Sequence, residues 1–381
     1  MSWKIPLFKI YWDKKDIKAM KEVIESGMNW ATGPHIEKFE QELAKYVGRK
    51  YALVFNSGTS ALHALMIVYG FGEGDEIIVP SFTFIATANA SLFVGARPVF
   101  AEIEKETFGL DPKDVEKKIT EKTKAIMPIH YGGCPCKIKE LKKIAKKNNL
   151  ILIEDTAESL GSRIMNKKIG TFGDSAMFSF CAPKVITTGE GGAVVINSRE
   201  IYEKLKLIRS HGRLETADYF SSTQYADYIT LGYNFRMSNI LAALGRTQLE
   251  KIEKVIKIRR EKAKYLTEKL SQIKEIILPV PPKNYFHVYQ MYTIRVKKGK
   301  KVRDALKNYL NQKGIGAKVY FEPVHLTNFY RKFFGYKKNS FPLTERISGE
   351  VLTLPIYPTL TKNEIDYMVK EIKNFLKKNE K

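Results

Sequence analysis

The chain has 381 residues, 44% apolar and 12% aromatic, with 64 Lys and Arg against 41 Asp and Glu, a formal charge of +23. This composition excludes a disordered chain; no apolar run is long enough to span a membrane, and the start MSWKIPLFKIYW lacks the apolar core and cleavage site of a signal peptide, so a cytoplasmic protein is expected. The charge admits an anionic partner, but lysines alternate with glutamates in stretches such as DKKDIKAMKEVIES, the pattern of solvated helix faces, and no nucleic-acid motif accompanies them.

In chain order, helical spacing is predicted over about 13–26 and 35–47, separated by MNWATGP. Short apolar runs then alternate with helical segments: strands are predicted at 51–55, 76–80, 98–103, 124–129, 150–155 and 192–196. Between them SALHALMIVYG, DPKDVEKKI and KIKELKKIAKKN have helical periodicity. This is the signature of an α/β fold with a mostly parallel sheet, whose ligands gather at the carboxyl ends of the strands. From about 248 a long basic helix leads out of that rhythm to the Pro-rich ILPVPPKN, a strand-like QMYTIRV, a helix near 302–312 and a last helix from about 361. A large domain over 1–247 and a smaller α+β domain over 248–381 are expected.

Three stretches carry candidate chemistry. In FSFCAPKVITTGEGG (178–192) Lys184 is the one charged residue between Asp174 and Glu190. It either reaches solvent from a surface loop or, if buried, must lose its proton or be used covalently. In YALVFNSGTSALHAL a strand leads through Asn56-Ser57-Gly58-Thr59-Ser60 into a helix, which makes either an ordinary N-cap or an anion cradle. In LILIEDTAESLGS, Glu154 and Asp155 end a very apolar strand, where a carboxylate needs a donor or a cation, a turn cap and a cofactor counter-ion being the two readings. There is no GxxxxGK[ST] and no GxGxxG. The three cysteines, Cys134, Cys136 and Cys181, are too sparse for a disulfide framework, and His130, Cys134 and Cys136 in IHYGGCPC fall short of a zinc pattern, so no metal is expected. An amine, an anion cradle and a buried acid together suit pyridoxal phosphate.

At these residues the sequence resembles the DegT-type (StrS-type) nucleotide-sugar aminotransferases, fold-type I pyridoxal phosphate enzymes. The likeness runs through TGPHIEKFE, NSGTSALHAL, DEIIVPSFTFIATANA, GARPVFAEI, KAIMPIHYGG, IEDTAESLGS, GDSAMFSF, KVITTGEGG, IRSHG, LGYNFRMSNILAALGRTQLE, PVHL and LPIYPTLT, in the family's order. It implies that Lys184 is the Schiff-base and proton-transfer lysine and that Asp155 pairs with the cofactor's ring nitrogen. Phe84 falls where the family stacks an aromatic ring on the cofactor, and Gly58, Thr59 and Ser179 at phosphate-binding positions. Asn234, in GYNFRM, matches a phosphate ligand given by the other subunit of a homodimer with shared active sites, and His325, in EPVHL, a substrate-side residue.

Two positions depart from the common pattern. Glu158, near the cofactor and substrate, replaces a frequent Gln or His and resembles the subgroup making perosamine-type 4-amino-4,6-dideoxy sugars. Cys181 stands where most members have His, Asn or Tyr. A histidine in place of Lys184 marks the dehydrating members, so the lysine favours transamination. The resemblance thus implies transfer of an amino group, with glutamate as donor, onto a nucleotide-linked keto sugar, a 4-keto-6-deoxyhexose in first place. A 3-keto sugar, a cyclitol, or a basic regulatory protein without chemistry are the alternatives. No nucleic-acid or membrane partner is expected.

Overall fold

A computed structural model of the chain describes residues 3–214, 225 and 227–378. Seven strands make the central sheet: β1 (Tyr51–Phe55), β2 (Glu76–Pro80), β3 (Arg97–Ala101), β4 (Thr123–Ile126), β5 (Ile151–Asp155), β6 (Ser175–Ser179) and β7 (Gly192–Ile196), in the order β1-β7-β6-β5-β4-β2-β3. The β2–β3, β2–β4, β4–β5 and β5–β6 pairs are parallel, while β7 runs antiparallel to both β1 and β6. Helices on both faces bury the sheet, which is why the strands read as apolar runs. β6 is the strand that the sequence pattern does not announce.

The expected long helix near 248 is two helices, Asn239–Glu250 and Ile252–Leu270, broken at Lys251. The ammonium of Lys251 lies 2.8 Å from Asp13 and 2.7 Å from Asp16, which also accepts from Thr247 and Gln248. Asp16 completes a capping box with Asp13 at the start of the helix Lys14–Glu25, so one buried carboxylate both caps that helix and docks it. After Ile252–Leu270 come a three-stranded antiparallel sheet, of Ile276–Ile277, Tyr292–Val296 and Val351–Leu354, and the helices Gly299–Gln312 and Lys362–Lys378. Ile5 pairs with Ile315 and is buried in this second core, so the first residues pack with the C-terminal sheet and the helices that follow them pack with the first.

Candidate active site

β5 ends in two adjacent carboxylates, and strand alternation sends them to opposite faces of the sheet. Glu154 is fully buried and accepts from the amides of Gly170, Phe172 and Gly173 at 3.0, 2.7 and 2.7 Å. His130 Nδ1 accepts from the Cys136 amide, which leaves Nε2–H to donate to Glu154 at 3.3 Å. Burial pushes the Glu154 carboxyl up, but His130 and these amides outweigh it and hold it below the ordinary range. Glu154 therefore anchors the 170–173 turn, and His130 is committed to it. Cys134 and Cys136 are buried thiols, and among the described residues no group of three His, Cys, Asp or Glu could hold a metal ion.

Asp155 faces a cavity of about 390 Å³ at the carboxyl end of the sheet. Its Oδ2 accepts from the Thr87 hydroxyl at 2.7 Å and its Oδ1 from the Ala157 amide at 3.1 Å. Burial nonetheless raises its pKa.

Lys184 enters the same cavity from the connection between the antiparallel strands β6 and β7. That connection is closed at its base by the Phe180 amide on the Gly191 carbonyl, 2.9 Å, and the Thr188 amide on Phe180, 3.0 Å. Val185 and Ile186 are buried in the core beneath it, which explains the uncharged stretch around the lysine. Lys184 Nζ lies 3.6 Å from Glu158 Oε1, and Glu158 Oε2 accepts from the Gly132 amide at 2.8 Å. Burial raises the Glu158 carboxyl pKa against the pull of Lys184 and that amide.

The helix Gly58–Val68 starts at the cavity wall, capped by Ser57, whose hydroxyl accepts from the Ser60 amide at 3.0 Å. A Cβ on Gly192 would stand 2.5 Å from the Gly58 nitrogen, and one on Gly58 would stand 3.3 Å from the Ser179 Cβ. Glycine at both positions lets the helix start press onto β6 and β7, beside the Ser179 hydroxyl. Thr59 lines the cavity, as does Phe84, which is 61% exposed at the N-cap of the helix Ile85–Leu92.

Two expected residues lie elsewhere. His325 does not line the cavity: it is fully buried, its Nδ1 takes the Ser81 hydroxyl at 2.6 Å and its Nε2 faces Glu345 at 3.3 Å, against Phe341. In this structure His325 thus bonds the PVHL segment to the end of β2. Asn234 is exposed, bridged through its backbone to Ser210, with its carbonyl accepting from Asn56 at 3.2 Å, and its side chain lies outside its own chain's cavity. Conversely, Thr83, Thr87, Gln290, Tyr320 and Phe321 line the cavity without having been singled out. The i, i+4 spacing of Thr83 and Thr87 was the one readable signal among them.

A profile of the DegT/DnrJ/EryC1/StrS aminotransferase family matches residues 11–373. The chain belongs to this family. It is 35% identical over 371 residues to the GDP-perosamine synthase of Escherichia coli O157:H7, covering 97% of this chain and 98% of that one. Among solved structures it is similar to PseC of Helicobacter pylori, an aminotransferase involved in the biosynthesis of pseudoaminic acid, with a TM-score of 0.92 at 32% identity over 99% of this chain and 100% of that one. Spr1654 from Streptococcus pneumoniae, in its PLP-form, gives a TM-score of 0.91 at 25% identity, with 99% of each chain covered. The fold is that of the fold-type I aminotransferases, and the protein is a pyridoxal phosphate-dependent sugar aminotransferase. The donor set fits that cofactor: one cavity presents an amine, a buried carboxylate, an exposed aromatic ring and a helix start flanked by hydroxyls. Its volume lies in the range of small-ligand sites. Among the described residues no helix is long and apolar enough to cross a membrane.

Proposed function

We propose that this aminotransferase moves an amino group from glutamate to C4 of a 4-keto-6-deoxyhexose linked to a nucleoside diphosphate. The observation that carries the reading is Glu158, a half-buried carboxylate fixed by the Gly132 amide and held 3.6 Å from Lys184 Nζ. Glutamate at this position is the mark of the perosamine-type subgroup that the sequence resembles, and similarity to a GDP-perosamine synthase supports the nucleotide-linked 4-keto sugar.

Pyridoxal phosphate, when bound, supplies an aldehyde that carries the amino group and a ring that takes up electrons. Lys184 would hold that cofactor through its amine, and its Nζ would move the proton at the reacting carbon. Asp155 would hold the proton on the ring nitrogen, and Phe84 would pack against the ring. The Gly58 and Thr59 amides and the Ser179 hydroxyl hold the phosphate at the helix start. Glu158 orients Lys184 Nζ and faces the acceptor sugar. Residues 1–247, apart from the first few that pack with the C-terminal sheet, form the cofactor-binding domain, and Tyr320 and Phe321 bring a wall of the cavity from the smaller domain, 248–381.

The enzyme acts as a cytoplasmic homodimer in which Asn234 completes the partner's phosphate site. The exposure of Asn234 and its position outside its own cavity support this. Neither nucleic acid nor membrane is a partner. The test is a panel of nucleotide-linked keto sugars incubated with the enzyme and glutamate, with products read by mass spectrometry. A 4-amino sugar and 2-oxoglutarate are expected; turnover confined to 3-keto sugars, or none with glutamate, overturns the reading.

A further inference from the structure

Asp155 Oδ2 stands at the end of a chain of two hydroxyls. Thr87 Oγ1 lies 2.7 Å from the carboxylate oxygen and 2.7 Å from Thr83 Oγ1. An ionised carboxylate only accepts, so the Thr87 hydrogen points at Asp155, and the Thr83 hydrogen must then point at Thr87. Both threonines are buried and both line the cavity. They sit at either side of the start of the helix Ile85–Leu92, one just before it and one in its first turn, so a single helix start fixes the whole chain.

We propose that Thr87, with Thr83 behind it, is a positioning residue that keeps Asp155 ionised and aimed at the ring nitrogen of the bound cofactor. The carboxylate needs this help. Burial raises its pKa, and among the influences that oppose burial the Thr87 bond is the largest, ahead of the Ala157 amide, Lys184 and His130. With Oδ1 taken by the Ala157 amide and Oδ2 by Thr87, the carboxylate is fixed from both oxygens before any ligand arrives. Chained hydroxyls polarise one another, so Thr83 strengthens the bond that Thr87 gives.

The inference rests on the reading of Asp155 as the partner of the ring nitrogen, and the experiment separates the two. Pyridoxal phosphate is titrated into the stripped enzyme and its dissociation constant read from absorbance, for wild type, Thr87→Val, Thr87→Ser, Thr83→Val and Asp155→Asn. Thr87→Val is expected to weaken cofactor binding about 10- to 100-fold, the cost of stripping a hydrogen bond from a buried charge. Thr87→Ser, which keeps the hydroxyl, should stay near wild type, and Thr83→Val should show a smaller loss in the same direction. In an Asp155→Asn background the Thr87→Val change should lose most of its effect, since the two residues act through one bond.

Cofactor binding unchanged by Thr87→Val while Asp155→Asn weakens it overturns the proposal and leaves the role of Asp155 standing. A Thr87→Val loss of equal size in the Asp155→Asn background also overturns it, because that is the behaviour of a packing residue. Wild-type affinity in Asp155→Asn removes the counter-ion reading and the proposal with it. Should Thr87→Val fail to fold, Thr83→Val decides: unchanged affinity there refutes the chain.

Discussion

The ammonium of Lys184 and the carboxylate of Glu158 lie 3.6 Å apart across a cavity wall, each largely withdrawn from solvent. Glu158 is held on its far oxygen by a backbone amide, so it acts on the lysine and on whatever occupies the cavity from a fixed position. Replacing Glu158 with Gln keeps the shape and removes the charge. The half-reaction with the keto sugar should fall about 100-fold, the lower end for a positioned acid or base, and the half-reaction with glutamate by less. Rapid-mixing spectroscopy of the two half-reactions checks this; equal losses would make Glu158 a tuner of the cofactor and not of the sugar.

Lys184→Ala should lower turnover by about 10⁴-fold or more, because covalent anchoring and proton transfer are lost together. The fold should survive, since Val185, Ile186 and the Phe180–Gly191 pair hold the loop and the lysine does not. Borohydride treatment followed by intact mass measurement should fix the cofactor to the wild-type chain and not to the variant.

The buried carboxyl of Asp155 gives a signed pH dependence. Its folded-state pKa is raised above the ordinary 3.8, so in the stripped enzyme ionisation costs stability, and that cost is absent below 3.8 and grows as pH rises through the raised value. Asp155→Asn has no such cost. The stability of the stripped variant relative to stripped wild type should therefore increase with pH across that window, as measured by denaturant titration at several pH values; a difference independent of pH would contradict it.

Gly192→Ala would place a methyl group 2.5 Å from backbone atoms of Ser57 and Gly58, which cannot swing aside as a side chain can. A stability loss of about 1–3 kcal/mol is expected, the usual cost of overpacking. Cofactor affinity should fall with it, because the displaced backbone is the helix start assigned to the phosphate. Thermal melts and a pyridoxal phosphate titration give both values.

The shared site can be tested by complementation. Lys184→Ala and Asn234→Ala chains, each nearly inactive alone, are co-expressed with different tags and the mixed dimers isolated. An isologous dimer then holds one doubly damaged site and one intact site, so roughly half the sites of the isolated mixed dimers, or roughly a quarter of all sites in the unsorted mixture under free exchange, regain both residues. No recovery in purified mixed dimers would mean that Asn234 serves its own chain's site or none, and would overturn the shared site.

Most strands of the central sheet were readable because strands buried on both faces are short apolar runs between helical segments. Ser175–Ser179 was passed over because two serines bound a three-residue apolar stretch, too short for either alternation or a run; its place is fixed by ladders to β5 and β7. The isolation of Lys184 among uncharged neighbours was visible, and the structure ties it to buried anchors on either side. The surroundings of His325 were not legible because a histidine shows its chemistry in the sequence and not its partners, and here Ser81 and Glu345 take both nitrogens. Thr83 and Thr87 escaped notice for the converse reason. Threonines near a helix start read as ordinary caps, and only the fold brings them to a carboxylate some seventy positions later.

The opposed directions of Glu154 and Asp155 also bear on how β5 can change over evolutionary time. Single substitutions among Ile151, Leu152 and Ile153 alter packing but leave each carboxylate on its side of the sheet. Insertion or deletion of one residue within the strand would exchange them, turning Glu154 toward the cavity and Asp155 toward the 170–173 turn, because side chains change face at every step. Length variation in this lineage should therefore be confined to the connections before Ile151 and after Asp155, and the strand should drift in composition while its residue count stays fixed.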